Sequence, residues 1–571
     1  MGSQNDIAME SFYSKKASQL ESSMVELSVG SSPSLANVDS SCKNTAQFAA
    51  QQLYQDGMVN LIPMPTCDPK DPLNLPNWRK LTVIFSLCLF GSMAAAAELI
   101  LGAMLPVFSF EYAGIDPKIL AHVHLPSGVN GLTALAAFPG PPIWKIYLLG
   151  SLPILMIGVA NFFLVPLSIA VGRRTVILAT GIIALAGCLS SGFTHSLEAH
   201  LLCRVIQALG AGTVESLIPF IIQDIVFYHQ RNAAVSAVFA TQGLIVVALG
   251  ISAPYIVGYA SWRVIYFITA GAGLLFWIIM FFVLPETKFD RSDDETKGIP
   301  TIPLRPGQAR PDIDYQNYPA RNWKEDLRVC QTTVDWREGI TALWDSLRTF
   351  FYPHLLFITL LNSAVIAATL ASGYTAAPQL ISEPWSWPFF HLGFCLLPVI
   401  IAAVASFFVS GWGADRLANW LAKKRGNREP EIQALNLVFP CSVGVVGCLL
   451  FGFAGENPQN FHWMVFLIGL GMIAFSFLAT NTIGIVYVLE SHPNLAGPSL
   501  VNIASFRCLI AFALSFRVSE WVAELGYLKT FLIYAGILSV FILFVPVVYV
   551  WGAGWRKHLD AQPKSRGGFV R

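Results

Sequence analysis

Residues 201–231 read LLCRVIQALGAGTVESLIPFIIQDIVFYHQR. A helix crossing the ~30 Å hydrocarbon core of a bilayer takes ~20 largely apolar residues, and this stretch is long enough. Its interior nonetheless carries Arg204 and Glu215. At ~100° per residue these two charges fall within ~20° of one another on a single helix face. Ala208 and Ala211 complete that stripe, Gln207 lies beside it, and Gly210 and Gly212 let a neighbouring helix come close. Ionisable groups at membrane depth are expensive and by default mark function, so the stripe predicts a helix turned toward a water-filled cavity. The competing reading is a structural polar pair that holds helices together.

The rest of the chain supports a membrane setting. Of its 571 residues 54% are hydrophobic and only 12% charged, against ~25% in soluble proteins. Lys and Arg number 36 against 35 Asp and Glu, and the charges are unevenly placed: residues 1–80, 285–348 and 552–571 hold 42 of the 71. The remainder cannot solvate a water-soluble domain of that size, which excludes a soluble multidomain enzyme. A nucleic-acid binder, which needs a basic surface, is excluded with it. Twelve apolar stretches can span, at 81–108, 144–166, 175–193, 199–222, 233–258, 263–284, 350–371, 388–411, 434–454, 462–488, 498–518 and 527–551. The fold class expected is an all-α membrane protein of twelve transmembrane helices in two six-helix bundles.

Orientation follows from Lys and Arg. With the amino terminus inside, 29 fall in inside segments and 4 in outside ones, so both termini and the central loop are expected in the cytosol. The organisation read from this is a largely disordered cytosolic tail (1–80), an amino-terminal bundle (81–284), a cytosolic central loop (285–349), a carboxyl-terminal bundle (350–551) and a cytosolic tail (552–571). The first 75 residues are polar and Ser-rich, which predicts no cleaved signal peptide. Residues 112–143 are broken by Pro and Gly and read as an outside loop, whose His122 and His124 are taken as solvated. Most of the ten cysteines sit in apolar runs without a CxxC or Cys/His cluster, so no metal site is expected.

PLSIAVGRR in the second-to-third loop and GWGADRLANWLAKKRG in the eighth-to-ninth loop are both basic and Gly-containing at matching places in each half. Internal symmetry of this kind marks secondary transporters. No GxxxxGK[ST], HExxH or GxSxG occurs, so neither an ATP site nor a hydrolase signature is present, no cofactor is expected, and the chain reads as a carrier rather than an enzyme. Glu98, the acid inside the first span, and Arg204 reach similar depths. The expectation is that Glu98 or Glu215 takes up a proton and that Arg204 tunes it by changing partner. Arg507, in the eleventh span, is the second candidate for a cavity lining, and Arg517 is read as snorkelling.

DPKDPLNLPNWRK (68–80), VPLSIAVGRR (165–174) with Gly172, Arg173 and Arg174, LPETKFDR (284–291), REPEIQAL (428–435) and ASFRCLIAFALSF (504–516), together with the fourth-span stretch, resemble the major facilitator superfamily. The resemblance is to its fungal twelve-span drug:proton antiporter-like branch, which also contains polyamine and histidinol carriers, and runs from about Leu61 to Trp555. It implies the major facilitator fold, alternating access, and conformational loop motifs at Gly172, Arg173 and Arg174 and, in the second copy, Asp415 and Arg416. Two departures stand out. Ile169 occupies a place where the branch often has Glu, and of the fifth-span antiporter motif only Pro254 and Gly258 remain as helix-packing residues, Ala253 and Val257 replacing glycines. Residues 112–143 have no counterpart in the branch and are either a lineage insertion or a gene-model error such as a retained intron. The resemblance favours a monomeric plasma-membrane carrier that exports a small organic compound, a secondary metabolite or drug, against proton entry. Proton-coupled uptake of a cationic metabolite such as a polyamine is the alternative, and a non-transporting membrane sensor a third reading.

Overall fold

The computed structural model describes residues 54–55, 58–59, 61–99, 101–116, 140–425 and 429–560, apart from 297, 302–303, 305–307, 309 and 331–333; the side chains of 54–55, 58–59, 93–103, 293, 425, 494 and 559–560 are outside the description. Among the described residues eleven helices are long and apolar enough to cross a membrane. They match the second to twelfth expected spans: span 2 (Ile143–Val171), span 3 (Arg173–Ser191), span 4 (Leu197–Ile225), span 5 (Arg231–Tyr259), span 6 (Trp262–Val283), span 7 (Pro353–Ile381), span 8 (Phe389–Lys424), span 9 (Glu431–Glu456), span 10 (Trp463–Ser491), span 11 (Ala496–Leu525) and span 12 (Tyr527–His558). Span 1, expected over 81–108, consists of Asn77–Leu99 and Leu101–Tyr112. A short antiparallel hairpin ahead of it pairs Tyr54 with Val59 and Gln55 with Met58.

The boundaries have local causes. Gly172 takes φ +119°, a conformation that side chains with a Cβ rarely adopt, and so ends span 2 and starts span 3 within one residue. Ser196 and Ser261 accept from the backbone N–H of Ala199 and Arg263 and cap spans 4 and 6. Pro353 opens span 7 at a position where its missing N–H costs nothing. Span 11 loosens to π geometry over Asn502–Phe506, the turn immediately before Arg507; such bulges re-aim side chains and are frequent at functional sites.

The halves meet along two seams in which the second span of each half crosses the fifth span of the other. A Cβ on Gly158 of span 2 would lie 2.7 Å from the Ser505 carbonyl and 3.0 Å from Cys508 of span 11. On the other seam a Cβ on Gly393 of span 8 would lie 2.6 Å from the Cα of Ile251 in span 5. Glycine at these crossings lets two backbones touch, as in small-residue membrane interfaces. The seams therefore carry the twofold echo first visible in the two basic loops.

Residues 285–349 are not a free linker. Lys70 pairs with Glu325 at 3.2 Å, and Asp326 takes both Arg79 (2.8 Å) and Arg321 (3.0 Å), so the segment grips the residues leading into span 1. Buried Asp71 accepts from the Leu73 and Thr66 N–H groups and pairs with Arg291 at 2.6 Å. The motifs at 68–80 and 284–291 are thus two sides of one contact.

Candidate functional site

Glu215 of span 4 and Arg507 of span 11 meet inside the bundle. Arg507 Nη2 donates to Glu215 Oε2 at 2.5 Å, and its Nη1 donates to Asn481 Oδ1 of span 10. Arg507 is 1% exposed, while the Glu215 side chain keeps 17%. One residue on, the Ser216 hydroxyl donates to Asn161 Oδ1 of span 2. Spans 2 and 4 of one half and 10 and 11 of the other thus converge on a short polar chain. The cation facing Glu215 is Arg507, whereas the sequence suggested that Arg204 would tune it. The physical reason is length: eleven residues of helix separate Arg204 from Glu215 by ~16 Å along the axis, so one face holds two distinct sites.

Arg204 belongs to the second. It is buried, donates from Nη1 to Gln207 Oε1 at 2.9 Å, and sets Nε and Nη2 3.4 Å from the Leu149 carbonyl of span 2. One turn away, buried His200 has Nδ1 2.8 Å from the Tyr112 hydroxyl and Nε2 2.8 Å from the Tyr266 hydroxyl, and stacks on Trp262. The backbone of Glu98 lies in span 1, but its side chain lies outside the described residues, so its expected meeting with Arg204 does too. His200 went unremarked in the sequence, although its place four residues before Arg204 extends the same stripe.

The packing residues lie where close approach was expected. A Cβ on Gly210 would collide with the backbone of Ala184 and Thr180 in span 3, and one on Gly212 would lie 2.7 Å from Ala160 Cβ in span 2. Pro254 is buried within span 5, and a Cβ on Gly258 would strike the Phe390 ring of span 8 across the seam. Gly258 therefore serves the contact between halves.

At the end of the bundle carrying Gly172, the loop motifs engage partners the sequence did not assign. Glu286, just after span 6, accepts from the backbone N–H of Arg173 (3.0 Å) and Arg174 (3.2 Å), placing a carboxylate on the positive end of span 3. Arg173 reaches Asp224 at 3.4 Å and lies over the Phe220 ring, while Arg174 donates to the Phe281 carbonyl at 2.7 Å. Asp415 accepts from Asn232 Nδ2 (2.9 Å) and the Ala233 N–H (3.0 Å) at the start of span 5, tying the halves together. Arg416 is exposed and lies over Trp412 instead. Ile169, in place of an acid, packs against Gly497 of span 11, and its carbonyl receives Lys288 Nζ at 2.6 Å, which also pairs with Glu338. In this half an apolar contact and a lysine stand where the second half has a carboxylate.

Sequence and structure comparisons agree with this architecture. The profile of the Major Facilitator Superfamily matches residues 144–515, well over half of the chain. The chain belongs to the Major Facilitator Superfamily. Its relatives include fungal carriers, as the sequence motifs implied: the MFS antiporter QDR2 of Candida albicans is 24% identical over 79% of this chain and 86% of its own, and the cercosporin MFS transporter CTB4 of Cercospora nicotianae is 23% identical over 87% and 88%. The human organic anion transporter MFSD10 superposes with a TM-score of 0.54 at 15% identity, over 82% of this chain and all of its own. The superfamily fold is that of a multi-pass membrane transporter. Among the described residues no group of three or more His, Cys, Asp or Glu is arranged to hold a metal ion.

Proposed function

We propose that the chain is a secondary active transporter that exports a small organic compound, a secondary metabolite or drug, across the plasma membrane by proton antiport and alternating access. The observation that carries this reading is the Glu215–Arg507 pair, an ion pair between halves inside the membrane. In the proposed cycle Glu215 is the proton carrier and Arg507 its fixed cationic partner. A proton on Glu215 leaves a buried guanidinium with only neutral partners, and removing one member of a buried pair costs ~3–5 kcal/mol. The halves escape that cost by rocking apart along the glycine-lined seams and opening the interior. Loss of the proton on the other side restores the pair. The Asp415 contact closes the end that the Lys and Arg distribution assigns to the cytosol.

Uptake of a cationic metabolite would have Glu98 and Glu215 bind the substrate amines, and of these Glu215 is already paired with Arg507. In proteoliposomes with an imposed pH gradient, the intact chain is expected to move a fluorescent drug against the proton gradient, and Glu215→Gln to abolish that drive with the protein still inserted. Full coupling in Glu215→Gln, or gradient-driven uptake of labelled polyamine in cells without drug efflux, overturns the reading.

A further inference from the structure

The central segment contains the helix Trp336–Phe350, which falls into three sectors around its axis. Gly339, Ala342, Ser346 and Thr349 are buried against the bundle. Arg337, Glu338, Thr341, Asp345 and Arg348 make a second, polar sector. Between them Trp336, Ile340, Trp344, Leu347 and Phe351 form a third sector spanning ~80°, and it is open: Trp336 is 61% exposed, Trp344 68% and Phe351 75%.

Both ends of this helix are fastened to membrane spans. At its start the Asp335 N–H donates to the Ala170 carbonyl in the last turn of span 2 at 3.2 Å, while the Asp335 carboxylate caps Arg337 and Glu338. At its other end only Phe351 and Tyr352 separate it from Pro353, the first residue of span 7. A helix of about 22 Å held at both ends by the rims of two spans runs along the rim and cannot project from it. Trp and Phe on one face of such a helix match the chemistry of the boundary between headgroups and acyl chains.

We propose that Trp336–Phe350 is an interfacial anchor whose Trp336, Ile340, Trp344, Leu347 and Phe351 stripe inserts into the phospholipid bilayer at the bundle's edge. The polar sector holds two arginines against Glu338 and Asp345, so the contact is driven by apolar area and does not select anionic lipid. Insertion also reaches the transport machinery. Thr349 Oγ1 accepts from Asn502 Nδ2 at 2.8 Å, and the Phe350 ring lies 4.1 Å from that of Phe506, the residue before Arg507. A helix gripped by lipid therefore fixes the π turn that aims Arg507.

The test uses the full chain in nanodiscs of phosphatidylcholine, with and without phosphatidylserine. Single spin labels at 336, 340, 344, 347 and 351 are expected to collide readily with oxygen and poorly with a water-soluble nickel chelate, with labels at 337 and 348 showing the reverse, alike in both lipids. A second measurement needs no labelled stripe: brominated acyl chains should quench less of the total tryptophan emission in Trp344→Phe than in the unaltered chain. Nickel accessibility along the stripe equal to that at 337 overturns the proposal. So does protection from both reagents, which would mean that a second copy or another protein covers the face, and so does bromolipid quenching unchanged by Trp344→Phe.

Discussion

Arg507 of span 11 donates to Glu215 of span 4 at 2.5 Å, so the pair bridges the two six-helix halves inside the membrane. The members of such a pair are not equivalent. Arg507 is 1% exposed and the Glu215 side chain 17%, so the guanidinium left alone is the more costly of the two orphans. Glu215→Gln is therefore expected to destabilise the closed arrangement by ~3–5 kcal/mol, Arg507→Gln by less, and the double variant by less than Glu215→Gln alone. A thermal-unfolding double-mutant cycle in detergent checks this; strict additivity would mean the pair contributes no coupling.

Asp415 receives the Ala233 N–H and the Asn232 amide at the first turn of span 5. Losing a cap of this kind costs ~0.5–2 kcal/mol. Asp415→Ala should therefore shift the halves toward separation at that end by a factor of ~2–30, and Arg416→Ala, whose side chain lies over Trp412, should shift them little. Modification rates of a single cysteine at position 233 would read the difference.

Gly210 crosses span 3 so tightly that a Cβ would strike the Ala184 and Thr180 backbone, which cannot yield as a side chain can. Gly210→Ala should cost ~1–3 kcal/mol by overpacking and lower the yield of inserted protein. Gly271→Ala and Gly373→Ala, where nothing lies within 4 Å of the added atom, serve as controls and should leave yield unchanged.

The chain leaves span 1 and returns to span 2 at one place: a Cβ on Gly140 would lie 3.2 Å from the Cα of Ala113. The cost of closing a loop changes slowly with its length. Replacing residues 117–139, which lie outside the described residues, with a short Gly-Ser linker should preserve insertion and thermal stability. Collapse of either would show that the stretch contributes to the amino-terminal half.

Cys67 lies ahead of span 1, with its carbonyl accepting the Asp314 N–H at 3.0 Å. Burial raises its thiol above the usual range, and the carboxylates of Asp314, Asp312 and Glu295 raise it further. A raised thiol pKa means less thiolate at neutral pH and a rate that climbs as pH rises. With Cys42, Cys203 and Cys330 replaced by Ser, maleimide should modify Cys67 slowly at pH 7, faster at pH 9, and faster at pH 7 in Asp314→Asn. Equal rates with and without Asp314 would remove the carboxylate's part.

Much of the helical layout is legible in the sequence because a spanning helix is announced by local composition: spans 2–12 lie close to their expected ranges. The candidate site was half legible. Arg204, Gln207 and Glu215 declared themselves by their rarity in an apolar run, and all three lie on the inward side of span 4. Partnership was not legible, because Glu215 and Arg507 lie 292 residues apart and nothing local to either encodes the meeting. Glu286 was visible within its motif, but that it accepts the first N–H groups of span 3 depends on how spans 3 and 6 pack.

By itself, then, the sequence determined the class, the spans and the rare charges within them, since desolvation acts on each segment separately and leaves its mark in composition. Tertiary structure decided which charges pair and which glycines separate halves rather than neighbouring spans. It also decided that Trp336–Phe350 lies packed along the rim, with one face held by spans 2 and 11 and another left open. Those outcomes depend on distances between segments far apart in the chain, and a charge or an apolar stripe specifies the need for a partner without specifying which one the fold brings within reach.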